Sequence, residues 1–331
     1  MSKTERRPTR VRAVSDLDRP EAISSARPDV VDRPDRALEL VVRGPAYAHV
    51  GTNRSVGPCT PSERATIETC LTLASHRRRT ALRTVVVGAS SGLGRCIGIG
   101  LAQRGSRTAL LARRIERLED AAKEAGPGTI ALACDVTSTE SCQSAITEAA
   151  TQLGGIDALV YTPAIGPLTA LVDTDVETWR RVFDTNVIGA ALVTSAAIPH
   201  LTATNGVAVY LSSVSASLTP PWPGLGAYAV SKAALDKLVE AWRAEHPTIG
   251  FTRLVVGDCA GGEGDAMTGF ADGWDPELAS HFASQWMARR YLADSLIDVD
   301  ELVTVVDSLV RHGTSISISS VTVAPRTIPS S

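Results

Sequence analysis

A tyrosine and a lysine four residues apart could together carry out acid–base chemistry. Tyr228 and Lys232 stand at positions i and i+4, so on a helix their side chains would share one face. The chain has only five Tyr and four Lys, and chance would produce this spacing about 0.06 times. A neighbouring ammonium lowers the pKa of a tyrosine by favouring the phenolate, so the pair predicts a general acid or base that works nearer neutral pH.

A double serine lies upstream of this pair, where a strand is predicted to end. Ser212 and Ser213 follow the β-branched run Val207–Leu211. In a parallel sheet the side chains at the carboxyl ends of the strands meet the ligand crevice. We therefore expect a serine hydroxyl to reach that crevice.

A glycine-rich turn follows the first strongly apolar run of the predicted fold. Val85–Val87 leads directly into Gly88-Ala89-Ser90-Ser91-Gly92-Leu93-Gly94. A dinucleotide pyrophosphate requires a strand, a glycine turn and a helix, because glycines let the backbone approach and the helix N-terminus offers free N–H groups. The predicted cofactor contacts of the turn are Gly88, Ser90, Ser91, Gly92, Leu93 and Gly94.

The same turn also fits the nucleophile elbow of a hydrolase, Gly-x-Ser-x-Gly, with Ser90 as the nucleophile. Such an elbow normally follows several strands of the sheet, and its oxyanion partner loop would have to lie upstream. Here only a proline-rich segment precedes the turn. The position in the chain therefore favours a dinucleotide site over a hydrolase.

Two arginines, Arg113 and Arg114, follow the second predicted strand. A site selective for NAD usually presents Asp or Glu here to the ribose hydroxyls, but the first acid is Glu116, inside the next predicted helix. A guanidinium group pairs well with a 2′-phosphate. We therefore predict NADP(H) as the preferred cofactor, with NAD(H) as the alternative; the plainer interpretation is that an arginine only begins a solvated helix.

The elements that must position these residues alternate between short strands and longer helices. Candidate strands are Thr84–Val87, Arg107–Leu111, Thr129–Cys134, Ala158–Tyr161, Val207–Leu211, Phe251–Val256 and Ser315–Val323. Candidate helices are Leu93–Arg104, Arg114–Ala125, Thr139–Leu153, Val176–His200, Ala227–His246 and Val299–Arg311. Crossovers of about 10 to 25 residues predict a parallel sheet covered on both faces. We expect an α/β fold with a doubly wound parallel sheet (Rossmann fold), seven strands and helices on both faces.

The first 80 residues differ from the rest of the chain. They contain seven prolines, and 15 Lys and Arg stand against 10 Asp and Glu. Such a segment buries too little apolar surface to offset the entropy of ordering it. We predict a disordered N-terminal extension over residues 1–80, with a short helix near residues 62–75, and one Rossmann-type domain over residues 81–331. A partner-binding arm and a non-essential extension both fit this composition.

The overall composition argues against several classes of protein. The 331 residues are 44% hydrophobic and 21% charged, as in an ordinary soluble globular protein. A net charge of −3 argues against a nucleic-acid binder, and the longest weakly polar run, residues 187–199, is too short to span a membrane. Six cysteines without CxxC spacing predict free thiols in a reducing cytoplasm, and no Cys/His cluster has the spacing of a metal site.

With the glycine turn, the double serine and the Tyr–Lys pair in this order, the sequence resembles the short-chain dehydrogenase/reductase (SDR) family, in its single-domain form of about 250 residues. The resemblance covers residues 88–331. It implies a catalytic domain that uses NADP(H) to interconvert a carbonyl and a secondary alcohol. The implied catalytic tetrad is Asn186, Ser213, Tyr228 and Lys232.

The resemblance also implies a role for each of these residues. The hydroxyls of Ser213 and Tyr228 would bind the substrate oxygen, and Tyr228 would exchange the proton. Lys232 would lower the pKa of the tyrosine and bind the nicotinamide ribose, while Asn186 would hold a water that links Lys232 to solvent. The implied adenine contacts are Asp135 and Val136. The implied partners are a small-molecule carbonyl or alcohol substrate and further copies of the chain, in a homodimer or homotetramer.

The sequence departs from the family pattern near the site. Ser213 lies 15 residues before Tyr228, two more than is common, so Ser215 competes for the same role. Thr162-Pro163 stands where Asn-Asn is usual, and the proline removes one N–H group near the cofactor ribose. The alternative functions are a non-catalytic NADP-binding regulatory protein and a dehydratase or epimerase built on the same site.

The segment over residues 257–292 is predicted to be an elaborated loop with short helices. It holds five of the 14 aromatic residues, Phe270, Trp274, Phe282, Trp286 and Tyr291. In the family this loop covers the substrate, and such rings would suit a bulky apolar ketone or alcohol. The alternative is that amphipathic helices dock these rings on the sheet.

Overall fold

The computed structural model describes residues 81–262, 264, 267–292, 295–312 and 316–326. The N-terminal extension predicted over residues 1–80, with its helix near residues 62–75, lies outside these residues. All described residues belong to the segment that is predicted to fold as one Rossmann-type domain.

Seven parallel strands form one sheet in the order β3-β2-β1-β4-β5-β6-β7. The strands are β1 (Arg83–Val87), β2 (Arg107–Ala112), β3 (Ile130–Ala133), β4 (Ala158–Tyr161), β5 (Val207–Ser213), β6 (Gly250–Val256) and β7 (Ser320–Val323). Because the chain continues to opposite sides of β1, a crevice opens at the carboxyl ends of β1 and β4. The predicted doubly wound parallel sheet of the α/β class is confirmed, although β7 is shorter than predicted.

Eight α-helices connect the strands in the described part of the chain. They are α1 (Gly92–Gln103), α2 (Ile115–Ala125), α3 (Thr139–Leu153), α4 (Val176–Phe183), α5 (Gly189–Thr204), α6 (Gly226–Glu245), α7 (Pro276–Ala288) and α8 (Val299–His312). A π-helical turn over Asp184–Ile188 joins α4 to α5, so the helix predicted over Val176–His200 is interrupted. The wider hydrogen-bonding pattern of one π turn leaves no clear trace in the apolar periodicity of a sequence.

Helices cover both faces of the sheet, and apolar residues alternate between the two layers. On β1, Val85 and Val87 pack on the side of α3, α5 and α6, while Val86 packs on the side of α1, α2 and α8. All three valines are completely buried. Burial on both faces explains why this strand reads as a continuous β-branched run rather than as alternating polar and apolar residues.

The segment after β6 contains a longer helix than predicted. Helix α7 has 13 residues and begins at Pro276, directly after Asp275 at the N-cap. Asp275 accepts a hydrogen bond from the backbone N–H of Leu278 at 2.8 Å, and proline is favoured at the start of a helix. The second half of the predicted loop with short helices is therefore formed mainly by one helix of 13 residues.

One continuous helical stretch in the described chain is long and apolar enough to cross a membrane by length and composition. It runs over Val176–Thr204 and extends beyond both ends of the weakly polar run at residues 187–199. Ala190, Val193 and Ala197 of this stretch are completely buried in the core, and a core helix passes the same test. Its length is therefore a weak indication of a membrane span, and the absence of a membrane partner stays a prediction.

Candidate active site

A cavity of about 510 Å³ opens at the carboxyl ends of the strands. It extends from the glycine turn after β1, past the ends of β2 to β6, to the segment that follows β6. Of the predicted site residues, those that line it are Gly88, Ser90, Ser91, Gly92, Leu93, Gly94, Arg113, Arg114, Asp135, Val136, Ser213, Tyr228 and Lys232. The predicted site residue that does not line the cavity is Asn186.

The glycine turn has the backbone that a bound phosphate requires. Gly88 and Gly92 have φ values of +86° and +57°, in the left-handed region that favours glycine. At Gly94 an added Cβ would collide with the carbonyl oxygen of Gly88 and the hydroxyl of Thr162. The side chain of Ser91, at the N-cap of α1, makes no capping bond and leaves the first N–H groups of α1 to a ligand. The turn therefore fits a dinucleotide pyrophosphate.

Arg114 reaches from the end of β2 to the glycine turn. Its Nη2 donates hydrogen bonds to the hydroxyls of Ser90 at 3.0 Å and Ser91 at 2.8 Å. Arg113 beside it is exposed, and Glu116, the first acid after β2, does not line the cavity. Two guanidinium groups therefore lie where a Rossmann-type site binds the adenosine ribose, and no carboxylate from the loop after β2 accompanies them.

Asp135, after β3, is held in place by its own loop. The backbone N–H and the hydroxyl of Thr137 donate to Asp135 Oδ1 at 3.0 and 2.8 Å. These two bonds, helped by the charge of Arg113, hold the pKa of the carboxyl below its ordinary value. An ionised, fixed carboxylate at the cavity wall is suited to accept a hydrogen bond from an adenine amino group.

Tyr228 and Lys232 lie side by side in the cavity, on the first turns of α6. Lys232 Nζ is 5.8 Å from the centre of the Tyr228 ring and donates a hydrogen bond to the carbonyl oxygen of Leu211 at 2.6 Å. Ser213 is the last residue of β5, and its hydroxyl lies beside the Tyr228 phenol, whose pKa it lowers. The packing of α6 against β5 thus brings a phenol, an ammonium and a hydroxyl together.

The acid–base balance of this pair differs from the prediction. Tyr228 is half-buried at the cavity wall, and burial raises the pKa of its phenol to about 12 although the Ser213 hydroxyl lowers it. Burial also lowers the pKa of Lys232 to about 8, against the attraction of Asp236. The sequence predicted that Lys232 lowers the pKa of this tyrosine, but the net change is a rise, because removing a phenolate from water is costly and Lys232 directs its hydrogen bond to Leu211.

The two candidate serines occupy different places. Ser213 Oγ shares a hydrogen bond of 2.9 Å with Ser215 Oγ and also accepts one from the N–H of Ser215 at 3.2 Å. Both line the cavity, but Ser213 is the one whose hydroxyl lowers the pKa of Tyr228. The geometry therefore favours Ser213 as the serine that would share a ligand with the phenol, and Ser215 supports it.

Asn186 lies in the π-helical turn and is completely buried. Its Oδ1 accepts a hydrogen bond from the N–H of Ile165, and its Nδ2 donates to Ile165 O and Ser231 Oγ, each at 2.9 Å. Ser231 Oγ in turn donates to the carbonyl oxygen of Tyr228 at 2.7 Å. The side chain thus clamps the loop after β4 to α6, and it has no hydrogen left to donate to the water expected to link Lys232 to solvent.

Six aromatic side chains pack together next to the cavity in an aromatic roof made of Trp222, Phe270, Trp274, Phe282, Trp286 and Tyr291. Of these, Trp222 and Phe270 line the cavity itself. The Phe270 ring meets the Tyr228 ring edge-on, with the ring centres 4.8 Å apart. Trp274 Nε1 donates to the carbonyl oxygen of Gly166 at 2.9 Å. The rings pack with Leu168 and Leu225 in a cluster separate from the two clusters on the sheet, so docking on the sheet was the wrong alternative.

The motifs of this site are matched by a known family. The family model described as "short chain dehydrogenase" matches residues 83–259, more than half of the chain. The chain belongs to the short-chain dehydrogenase family. The matched residues contain the glycine turn, the double serine and the Tyr–Lys pair, so the SDR resemblance is confirmed.

Curated SDR relatives are similar over about half of the chain. A short chain dehydrogenase from Pseudocercospora fijiensis is 36% identical over 167 residues, 49% of this chain and 53% of the relative. The 11-beta-hydroxysteroid dehydrogenase-like 2 of Arabidopsis thaliana is 32% identical over 195 residues, 57% of this chain and 62% of the relative. The chain therefore spans between half and two thirds of the length of these relatives.

Solved structures share the SDR fold at lower identity. The alcohol dehydrogenase from the archaeon Thermococcus sibiricus, complexed with 5-hydroxy-NADP, has a TM-score of 0.62 at 23% identity, over 74% of this chain and 96% of its own. The 3-ketoacyl-(acyl-carrier-protein) reductase from Brucella melitensis, complexed with NADH, has a TM-score of 0.60 at 22% identity, over 72% and 95%. At these identities the likeness shows the fold alone.

Two residues at the site were not predicted from the sequence. Thr162 Oγ1 donates to the carbonyl oxygen of Val87 at 2.7 Å and so fixes the loop after β4 against the glycine turn. The carboxylate of Asp236, one turn further along α6, attracts the ammonium of Lys232 and raises its pKa. The i+4 spacing from Lys232 was a signal for Asp236, whereas nothing local in the sequence links Thr162 to Val87.

Proposed function

We propose that this SDR family member is an NADP(H)-dependent oxidoreductase that interconverts a carbonyl and a secondary alcohol, with Tyr228 as the general acid or base. The observation that supports this most is the position of Tyr228, Ser213 and Lys232 in one cavity with the glycine turn. A dinucleotide whose phosphates bind that turn would extend through the same cavity toward the phenol.

The chemistry of the chain's own residues follows from their contacts. Bound NADP(H) would supply a hydride to the carbonyl carbon or accept one from the alcohol carbon. The hydroxyls of Tyr228 and Ser213 would hydrogen-bond the substrate oxygen, and Tyr228 would give it a proton during reduction or take one during oxidation. Because burial raises its pKa to about 12, the phenol keeps its proton at neutral pH and is ready to act as an acid. Lys232 would bind ribose hydroxyls and offset the charge left on Tyr228.

The preference for NADP(H) over NAD(H) rests on the arginines after β2. Arg113 and Arg114 line the cavity, and guanidinium groups bind the 2′-phosphate that distinguishes NADP from NAD. One structural neighbour is complexed with 5-hydroxy-NADP and another with NADH, so the neighbours do not decide the preference. The proposed preference for NADP(H) therefore depends on Arg113 and Arg114 of this chain.

A bulky, apolar carbonyl compound or alcohol is the substrate class that the aromatic roof favours. Trp222, Leu225 and Phe270 line the cavity with Tyr228, and such walls bind apolar ligands of matching size. The name of the plant relative, 11-beta-hydroxysteroid dehydrogenase-like 2, agrees with this class.

From composition and family resemblance we further propose a cytoplasmic homodimer or homotetramer without nucleic-acid or membrane partners.

Turnover by a Tyr228→Phe variant tests the proposal. Purified protein would receive NADPH and a panel of ketones, from small aliphatic to polycyclic compounds, while NADPH absorbance is followed. We expect the wild type to turn over at least one bulky ketone and the variant to lose about 10²- to 10⁴-fold of kcat, with NADPH affinity retained.

Two outcomes would contradict this function. Unchanged turnover in Tyr228→Phe would remove the phenol from the mechanism. Tight NADPH binding without turnover of any carbonyl or alcohol would instead fit a non-catalytic regulatory protein.

A further inference from the structure

A buried carboxylate lies behind the Tyr–Lys pair. Asp236 follows Lys232 by four residues on α6, so the two side chains lie on one face of the helix. Asp236 is 5% exposed and Lys232 is 2% exposed. Charged side chains buried to this degree are rare and need a partner of opposite charge.

The charged and polar groups that face Asp236 come from three elements. On α6 they are Lys232, one turn earlier, and Glu240, one turn later; Ser212 faces it from β5 and Arg253 from β6. Arg253 Nη1 is 3.6 Å from Asp236 Oδ2 and 3.2 Å from Glu240 Oε1. Burial raises the pKa of the Asp236 carboxyl, while the Ser212 hydroxyl, Arg253 and Lys232, in that order, favour its ionised form. Neither carboxylate oxygen makes a hydrogen bond of full geometry to a described residue.

Asp236 has two cationic neighbours, Arg253 and then Lys232, and Arg253 divides its charge between Asp236 and Glu240, so the charge of Asp236 also acts on Lys232. The guanidinium of Arg253 lies closer to Glu240, and its distance to Asp236 is longer than a hydrogen bond. The hydrogen bond from Lys232 goes to the neutral carbonyl of Leu211, which does not balance the charge of an ammonium. Burial lowers the pKa of Lys232 to about 8, and the attraction of Asp236 opposes that change.

We propose that Asp236 is a positioning residue that acts through Lys232: its carboxylate keeps the buried lysine in the ammonium form beside Tyr228. The catalytic consequence rests on the proposed function, because only an ammonium would bind the ribose hydroxyls as a donor and offset the charge left on Tyr228. The charge state of Lys232 itself is a property of the folded chain and can be measured without turnover.

The pH dependence of an Asp236→Asn variant tests this role. In the wild type, kcat/KM for carbonyl reduction should fall as pH rises through about 8, because Lys232 then loses its proton. Asparagine keeps the shape of the side chain without its charge, so the midpoint should move down by about one pH unit or more. The affinity for NADPH is measured by fluorescence titration over the same pH range. The midpoint of its pH dependence should move down together with the midpoint of kcat/KM.

Glu240→Gln is the matched control for this experiment. It removes a carboxylate from the same helix face and from the same arginine, one turn further from Lys232. In this variant the pH midpoint of kcat/KM and the pH midpoint of NADPH affinity should both stay at their wild-type values.

A double-mutant cycle on stability decides the matter if Asp236→Asn folds poorly. Lys232→Met leaves the buried Asp236 with Arg253 alone, and Asp236→Asn leaves the buried ammonium of Lys232 without a carboxylate, whereas the double variant contains neither of the two charges. The loss of melting temperature in the double variant should therefore be smaller than the sum of the two single losses.

Unshifted midpoints in Asp236→Asn, or an additive cycle, would overturn the proposal and leave Asp236 as a partner of Arg253 alone. NADPH titration and thermal unfolding need no substrate. If the proposed reaction fails, the shift in NADPH affinity and the non-additive cycle would still be observed, so the two failures are distinguishable.

Discussion

At the scale of the residue, the chemistry of the site depends on how the Ser213 hydroxyl acts on the Tyr228 phenol. Burial raises the pKa of the phenol, and Ser213 lowers it, so the serine partly offsets the cost of forming a phenolate. It would also be a second donor to the substrate oxygen. Ser215 contacts the Ser213 hydroxyl at 2.9 Å and therefore influences the phenol only indirectly.

We therefore expect Ser213→Ala and Ser215→Ala to differ in size of effect. Loss of a donor to the developing oxyanion should lower kcat/KM by about 10²-fold in Ser213→Ala. Ser215→Ala loses one neutral hydrogen bond and should cost about tenfold or less. Steady-state kinetics measures both, and NADPH titration should show unchanged cofactor affinity. A larger loss in Ser215→Ala would make Ser215 the active serine.

Arg113 and Arg114 should also differ, because only Arg114 is bonded to the glycine turn. Arg113→Ala should raise the Kd for NADPH by about tenfold or more, because the variant loses a charge-assisted hydrogen bond to the 2′-phosphate. The Kd for NADH, which lacks this phosphate, should stay nearly unchanged. Arg114→Ala should weaken both cofactors, since Ser90 and Ser91 lose their partner. Fluorescence titration with each cofactor gives the four constants.

Arg180→Ala is the control for both variants. Arg180 is an exposed arginine on α4 that pairs with Glu177 and does not line the cavity. Its removal should change neither constant. Tighter binding of NADH than of NADPH by the wild type would contradict the assigned preference.

At the scale of the element, the π-helical turn determines where the loop after β4 lies. Asn186 reaches Ile165 and Ser231 from this turn and so joins the cavity wall to the helix that carries Tyr228. A regular helix through the same residues would point this side chain in another direction. Asn186 therefore contributes to the site by positioning other segments, whereas Thr185 of the same turn lines the cavity.

Asn186→Ala should consequently lower both stability and turnover. The variant leaves the part-buried N–H and carbonyl groups of Ile165 without their side-chain partner and removes one of the two hydrogen bonds of the Ser231 hydroxyl. At about 1–3 kcal/mol for each group, the free energy of unfolding should fall by about 3 kcal/mol. Urea denaturation measures this, and kcat should fall because the Tyr228 backbone loses its anchor. Thr194→Val, which removes a buried hydroxyl bonded to Tyr210 outside the cavity, should destabilise the fold with little change in kcat. A stable, active Asn186→Ala would contradict the clamp.

The strands and most helices could be predicted because their signals are local. Continuous β-branched runs such as Val85–Val87 mark strands buried on both faces, and the order of three short motifs located the site. The raised pKa of Tyr228 could not be predicted, because it depends on burial by residues distant in sequence, among them Phe270. The same holds for Asn186, whose partners lie on two other segments.

At the scale of the whole molecule, the doubly wound sheet places all these groups at one edge. Six of the seven strands end at the cavity, so motifs spread from Gly88 to Phe270 meet there. Both apolar layers are built from described residues between Leu82 and Val323. The match to the SDR family model likewise begins at residue 83.

A chain that lacks residues 1–79 should therefore fold and bind NADPH as the full chain does. The two core layers and the cavity wall are formed by residues that this variant keeps, so its melting temperature should lie within a few degrees of the full-length value. Its Kd for NADPH should agree within about twofold, the range typical of changes remote from a site. Thermal unfolding and cofactor titration of both chains test this. An insoluble product, or a lost affinity for NADPH, would mean that the proline-rich segment completes the core or the cofactor site instead of forming an independent arm.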